Sequence, residues 1–229
     1  MQREFALAVT PVFKTALRWI EKITDQNRPT FRIEEIKDGH AAIRSKINAA
    51  ERKLKPRHRR VWELVHYALV AWIDEQCCLL PWEGQSWWQN NSLEVSYWGS
   101  KNAHDVFYRN AEEARHNRNA MEIYFLCVIL GFRGIYMDLR HRDPNYVERA
   151  QEFVTRNGLP GDLREWLKRA ATMIPLGQTS GNLKVVDREG SGAFPLSARG
   201  SLVSSILFAS IAFGTLVAYV FFALIRNNL

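Results

Sequence analysis

The residues that invite a chemical reading sit inside an apolar run. Between Val61 and Leu80 the sequence is interrupted by two adjacent carboxylates, Asp74 and Glu75. Neighbouring residues on an α-helix point about 100° apart, so at least one of the two must face the rim of whatever the helix packs into. Burying either without a partner is costly. Two readings follow: an internal salt bridge to an Arg or Lys of a neighbouring helix, or a contact site for a partner at a cleft between helices. Acid–base catalysis by paired carboxylates would need further polar groups converging on the pair, and the surrounding sequence supplies none.

Other catalytic patterns are missing. No phosphate-cradling GxxxxGK[ST], no GxGxxG, no HExxH and no GxSxG occurs. The histidines, at 40, 58, 66, 104, 116 and 141, are scattered, and no two share a helical face with a carboxylate at metal-ligand spacing. His40 and His66 fall on apolar helices and read as structural. Cys77, Cys78 and Cys127 form no CxxC pair, which argues against a disulfide framework or structural zinc and for a reducing compartment. The expectation is therefore a protein that is not an enzyme, with no catalytic residue, cofactor or metal.

Two clusters remain. Arg52 to Arg60 holds six cations in nine residues. It could bind phosphates of nucleic acid or of an anionic leaflet, or it could be a solvated helix end whose charge complements the dipole. Aromatic side chains do not alternate with these cations, which argues against single-strand binding, and no nucleic-acid partner is expected. A module binding anionic surfaces through this cluster stands as the alternative function. Trp82, Trp87 and Trp88 crowd a corner beside Pro81 and Gly84, and they read chiefly as filling for a sharp turn.

The elements that must position these residues are helical almost throughout. Thr10-Pro11 resembles an N-cap followed by Pro at the first helical position, which predicts a helix from Pro11 to about Asp25. Ile33, Ile36, His40, Ile43, Ile47, Ala50 and Leu54 form a heptad-like seam, a break falls at Lys55-Pro56, and Trp62, Val65, Leu69, Trp72, Gln76 and Leu79 resume the stepping up to Pro81. These predict antiparallel helices in a bundle. Shorter helices are expected near 86–98, 103–116, 118–132, 144–156 and 161–173. Strict alternation never persists, so the class is all-α. Gly131 and Gly134 are expected to end one helix and turn the chain.

The chain of 229 residues, 47% apolar and 24% charged, has room for one medium domain, here 1–173. Its formal charge of +7 favours anionic partners without choosing among them. Residues 174–201, rich in Gly and Pro, read as a linker. From Leu202 to Ile225 no residue is charged, and at about 1.5 Å per residue the segment reaches ~36 Å, enough for a bilayer core of ~30 Å. One transmembrane helix at 202–225 is expected, with a short tail at 226–229. Lys184, Arg188 and Arg199 outnumber Arg226 across it, which predicts a cytoplasmic N-terminal domain. Gly214 and nearby small residues would let copies approach within the membrane.

Three blocks carry a resemblance to a known family: Ala71-Trp72-Ile73-Asp74-Glu75, Pro81-Trp82-Glu83-Gly84-Gln85-Ser86-Trp87-Trp88, and the run from Glu122 through Gly131-Phe132-Arg133-Gly134 to Tyr136. In this order, ahead of an apolar C-terminal segment, they resemble the signature blocks of the DotU/IcmH/TssL family, inner-membrane subunits of type VI and related type IVB secretion machines. The resemblance covers the chain from about Pro11 onward. It implies a hook-like cytoplasmic domain of two small helical bundles, the second packed by Phe132 and Tyr136, and a single pass through the bacterial inner membrane. The partners it implies are an IcmF/TssM-type membrane protein, baseplate components of TssK and TssE type, and further copies of the chain. On this resemblance the partner-contact residues are expected among Asp74, Glu75, Gln85, Trp87, Glu122 and Arg133, with Asp74 and Glu75 either touching a partner or holding the shape of a cleft. The chain departs from its relatives where Lys101 to Val106 replaces a glycine pair ahead of Phe107-Tyr108. Some relatives append a peptidoglycan-binding domain; none is expected here, and attachment to the cell wall is expected to come from another subunit.

Overall fold

The computed structural model describes residues 1–25 and 30–174, so the expected linker, transmembrane helix and tail lie outside the described residues. Within them the chain forms nine α-helices and no strand. The first, α1 (Arg3–Thr24), begins eight residues before Pro11 instead of at it. The reason is the apolar stripe Phe5, Ala8, Val9, Val12, Ala16, Trp19 and Ile23, all buried and spaced at helical period. Pro11 lies on the exposed face, where the carbonyl its ring leaves unpaired can be solvated, so burial of Phe5, Ala8 and Val9 outweighs the cost of an interior proline.

The expected second and third helices form one element, α2 (Ile33–Leu79), which turns sharply at His58 (φ −135°, ψ 42°), two residues beyond Pro56. Contacts set the direction of its arms. Trp19 of α1 lies against Gly39 on one arm, and its ring packs edge-on to Trp82 just past the end of the other. At the opposite end of α1, Phe5 packs on His58 itself, with ring centroids 5.0 Å apart. The arms therefore run antiparallel as predicted, joined by a corner instead of a loop. The seam holds from Ile36 to Leu54 and from Trp62 to Trp72, all buried, whereas Ile33 and Leu79 at its outer ends are 40% and 50% exposed.

Beyond α2 the chain shortens its strides. The stretch expected as one helix near 86–98 is two, α3 (Gln85–Asn90) and α4 (Leu93–Trp98), because Ser92 caps a new start by accepting the Val95 amide at 3.4 Å. Then follow α5 (Ala103–Ala114), α6 (Arg118–Ile129), a single turn α7 (Ile135–Asp138), α8 (Pro144–Arg156) and α9 (Leu163–Met173). Side chains of Asn117, Asp143 and Asp162 cap the last three of the longer helices, α6, α8 and α9, with Pro144 at the start of α8. Gly131 (φ 112°) and Gly134 (φ 51°) turn the chain between α6 and α7 as expected.

Two groups of rings anchor one continuous core. Trp19, Phe31, Trp82 and Trp88 pack together near the open ends of the α2 arms. This crowding is why position 39 is glycine: a Cβ there would lie 2.3 Å from the Trp19 ring. Phe107, Tyr108, Tyr124, Phe132, Tyr136 and Trp166 form the second group, joining α5, α6, α7 and α9. Phe132 and Tyr136, expected in a second bundle, lie here in the one continuous core.

Candidate functional site

Asp74 and Glu75 sit on the last turns of α2, and neither forms an ion pair among the described residues. Asp74 is buried at 6% exposure. Its Oδ1 accepts the Trp88 indole N–H at 2.8 Å and the Leu93 amide at 3.0 Å, and its Oδ2 accepts the Glu94 amide at 2.7 Å. The carboxylate therefore holds the first turn of α4, where unpaired amides and the helix dipole favour negative charge. Glu75 does the same for the next connection: its two oxygens accept the amides of Arg133 at 2.6 Å and Gly134 at 2.7 Å. Of the two readings, the internal salt bridge is not what satisfies the pair: backbone amides and the Trp88 indole take its place.

A third carboxylate completes the set. Glu94, buried in α4, accepts the Tyr67 hydroxyl at 2.8 Å and the amides of Asn102 at 2.9 Å and Ala103 at 3.2 Å, at the start of α5. Nothing in the sequence singled it out, because a lone Glu in a short polar stretch reads as solvated. Its apolar neighbours Leu93 and Val95 were the one available signal.

Of the remaining predicted residues, Gln85 and Arg133 also close helix ends, whereas Glu122 and Trp87 do not. Gln85 donates from Nε2 to the Cys78 carbonyl at 2.7 Å, beside the Trp82 indole N–H on the Cys77 carbonyl at 2.7 Å, so both satisfy the last carbonyls of α2. Arg133 donates from one Nη1 to the carbonyls of Val128 at 3.0 Å and Phe132 at 2.9 Å, past the end of α6. Glu122 pairs with Arg118 at 2.8 Å and with the Met1 ammonium. Trp87 is half-buried with its ring edge-on to His40, centroids 5.6 Å apart.

Burial sets the electrostatics. It pushes the Asp74 carboxyl up to about 6, against the pull of the three N–H donors, and Glu75 up to about 7, against those of Arg133 and Gly134. Burial would also raise Glu122, but the N-terminal ammonium and Arg118 outweigh it and hold that carboxyl below its usual range. His66, stacked on Trp62 at 5.2 Å and met edge-on by Tyr97 at 4.5 Å, is pushed down to about 4 by burial. His40 is lowered for the same reason. Among the described residues the cysteines are free, and burial raises all three thiols, Cys78 to about 12.

Asp74, Glu75 and Glu94 line the floor of a cleft of about 450 Å³ between the end of α2, the starts of α4 and α5, and α7. Leu79 and Met137 rise from its walls at 50% and 42% exposure, with Lys101 and His104 on the rim. Predicted residues beyond the two carboxylates do not gather in it: Gln85, Trp87, Glu122 and Arg133 are absent from its lining.

The basic stretch differs from its appearance in sequence. Lys55 pairs with Glu51 at 2.6 Å, Arg57 with Glu4 at 3.9 Å, Arg59 with Glu63 at 3.0 Å and Arg60 with Glu113 at 2.6 Å. Each exposed pair contributes little stability. Together they offset most of the charge that an anionic surface would meet.

The described residues thus form an all-helical domain whose buried carboxylates fasten helix starts. The chain matches the family described as type VI secretion system protein DotU over residues 6–225, and it belongs to that family. Membership makes it a component of the type VI secretion system. No curated protein matches the chain. Among solved structures, DotU from Francisella novicida is similar at 17% identity and a TM-score of 0.48, over 68% of this chain and 98% of that one.

Proposed function

We propose that the chain is a non-enzymatic structural subunit of the secretion membrane complex, held in the bacterial inner membrane by residues 202–225 and docking the cytoplasmic baseplate with an IcmF/TssM-type partner. The observation that supports this reading is the family match, which runs to residue 225 and so includes the uncharged segment. At 24 residues that segment has the length and composition of a spanning helix, and the hook-like domain with its TssK- and TssE-type contacts belongs to the same proposal. The carboxylates support a structural role as well, because each accepts backbone N–H groups at a helix start or a turn.

On this reading the cleft over Asp74 and Glu75 receives a cytoplasmic partner through Leu79, Lys101 and Met137, while the carboxylates hold its walls. The test is co-purification from membranes of Leu79→Glu and Met137→Glu, both changes on exposed side chains that leave the core alone. Loss of a baseplate component with the IcmF/TssM-type protein retained is the expected result. Retention of every partner at wild-type level would contradict cleft docking.

A further inference from the structure

The turn leaving α7 carries Arg140, His141 and Arg142 in succession. With Arg133 they border a second cavity of about 810 Å³, whose far wall is Gly161, Asp162 and Leu163 ahead of and within α9. Unlike the Arg52–Arg60 stretch, whose cations are mostly paired with glutamates, Arg140 and Arg142 form no ion pair among the described residues. Arg133 is held in place through one nitrogen by the carbonyls of Val128 and Phe132. Its other guanidinium N–H groups have no acceptor among the described residues. The His141 Nδ1 accepts the Asp143 amide at 3.1 Å, which leaves Nε2 as the protonated, donating nitrogen of the neutral ring.

A hydrogen bond ties the two sides of the cavity. Tyr136 donates its hydroxyl to the Pro160 carbonyl at 2.7 Å, tying α7 to the segment before α9. The one acid in the lining, Asp162, already accepts the Arg164 amide at 2.8 Å. Three arginines therefore line this cavity against a single, partly satisfied carboxylate. We propose that this cavity binds a phosphate ester. Guanidinium forks match phosphate oxygens two at a time, and the volume, within the range of small-molecule sites, leaves room beyond a bare phosphate for the ester's organic part against Tyr136, Met137 and Leu139. The same chemistry is offered by a phospholipid headgroup and by a soluble phosphate ester.

The experiment uses the full chain in detergent, as wild type, as Arg140→Gln/Arg142→Gln, and as Arg52→Gln/Lys53→Gln, which removes the same charge elsewhere. Binding of glycerol 3-phosphate is measured by equilibrium dialysis, and retention of phosphatidylglycerol over phosphatidylcholine by native mass spectrometry. The proposal expects at least one ligand to bind the wild type saturably, about tenfold more weakly the cavity variant, and within about twofold the control. Binding of the soluble ester assigns a soluble source, and selectivity confined to phosphatidylglycerol assigns the headgroup. Equal binding by wild type and cavity variant, an equal loss in the control, or no binding of either ligand would overturn it.

Discussion

Asp74 accepts the backbone amide of Glu94 at 2.7 Å, and the Glu94 side chain in turn accepts the amides of Asn102 and Ala103. One buried carboxylate thus starts the helix that carries a second, and the second starts the next helix. Three elements, α2, α4 and α5, are fastened by this relay without a single ion pair within it.

Asp74→Ala should therefore act on stability before it acts on any partner. Removing the acceptor strands the Trp88 indole and two buried amides, which costs about 2–4 kcal/mol. The thermal midpoint followed by circular dichroism should fall by roughly 5–15 °C with native helicity kept below it. An unchanged midpoint would show that the three bonds contribute nothing.

Glu75→Gln tests the second fastening. A glutamine has one acceptor oxygen for the two amides of Arg133 and Gly134, and its NH₂ opposes one of them. Faster hydrogen exchange at these two amides, with α1 unaffected, is expected, alongside a stability loss of about 1 kcal/mol. Uniform exchange across the chain would count against a local role.

The pH dependence has a defined sign. Asp74 rises from 3.8 to about 6 on folding and Glu75 from 4.5 to about 7, so the folded chain binds more protons than the unfolded one across this window. Their contribution to stability is full below about pH 4 and is lost as pH rises toward 7. His66, lowered from 6.5 to about 4, works in the opposite direction: its contribution is present above 6.5 and lost as pH falls. In His66→Phe, which keeps the ring stack, stability should decline more steeply from pH 4 to 7 than in the wild type. Melting curves across that range decide it, and parallel profiles would remove His66 from the balance.

Gly39→Ala should destabilise by about 1–3 kcal/mol, because the added methyl meets the Trp19 ring at 2.3 Å. Gly158→Ala, at φ 61° with nothing near its Cβ, should cost only the backbone strain of about 1 kcal/mol. Denaturant midpoints that rank the two the other way would contradict the packing described around Trp19.

The seam from Ile36 to Leu54 and the turn at Gly131 and Gly134 were legible in the sequence because period and glycine chemistry are local properties. The start of α1 was not, since an interior proline is tolerated only when distant residues bury Phe5 and Val9. Asp74 and Glu75 stood out as polar groups in an apolar run, yet their partners are amides 19 to 59 residues further on. No spacing rule reveals such partners. For the same reason Gln85 and Arg133 could be picked out by their blocks while their work at the ends of α2 and α6 could not. The pairing of Arg52–Arg60 was only half legible, because Glu51 and Glu63 stand four residues from their partners whereas Glu4 and Glu113 approach it only in the fold.

The most direct test is the identity of the proteins retained with the tagged full chain when carbonate-washed membranes are solubilised and purified. The account predicts that the chain stays in the washed membranes and brings with it an IcmF/TssM-type protein. Release of the chain by carbonate, or its retention with no other secretion subunit attached, would contradict it.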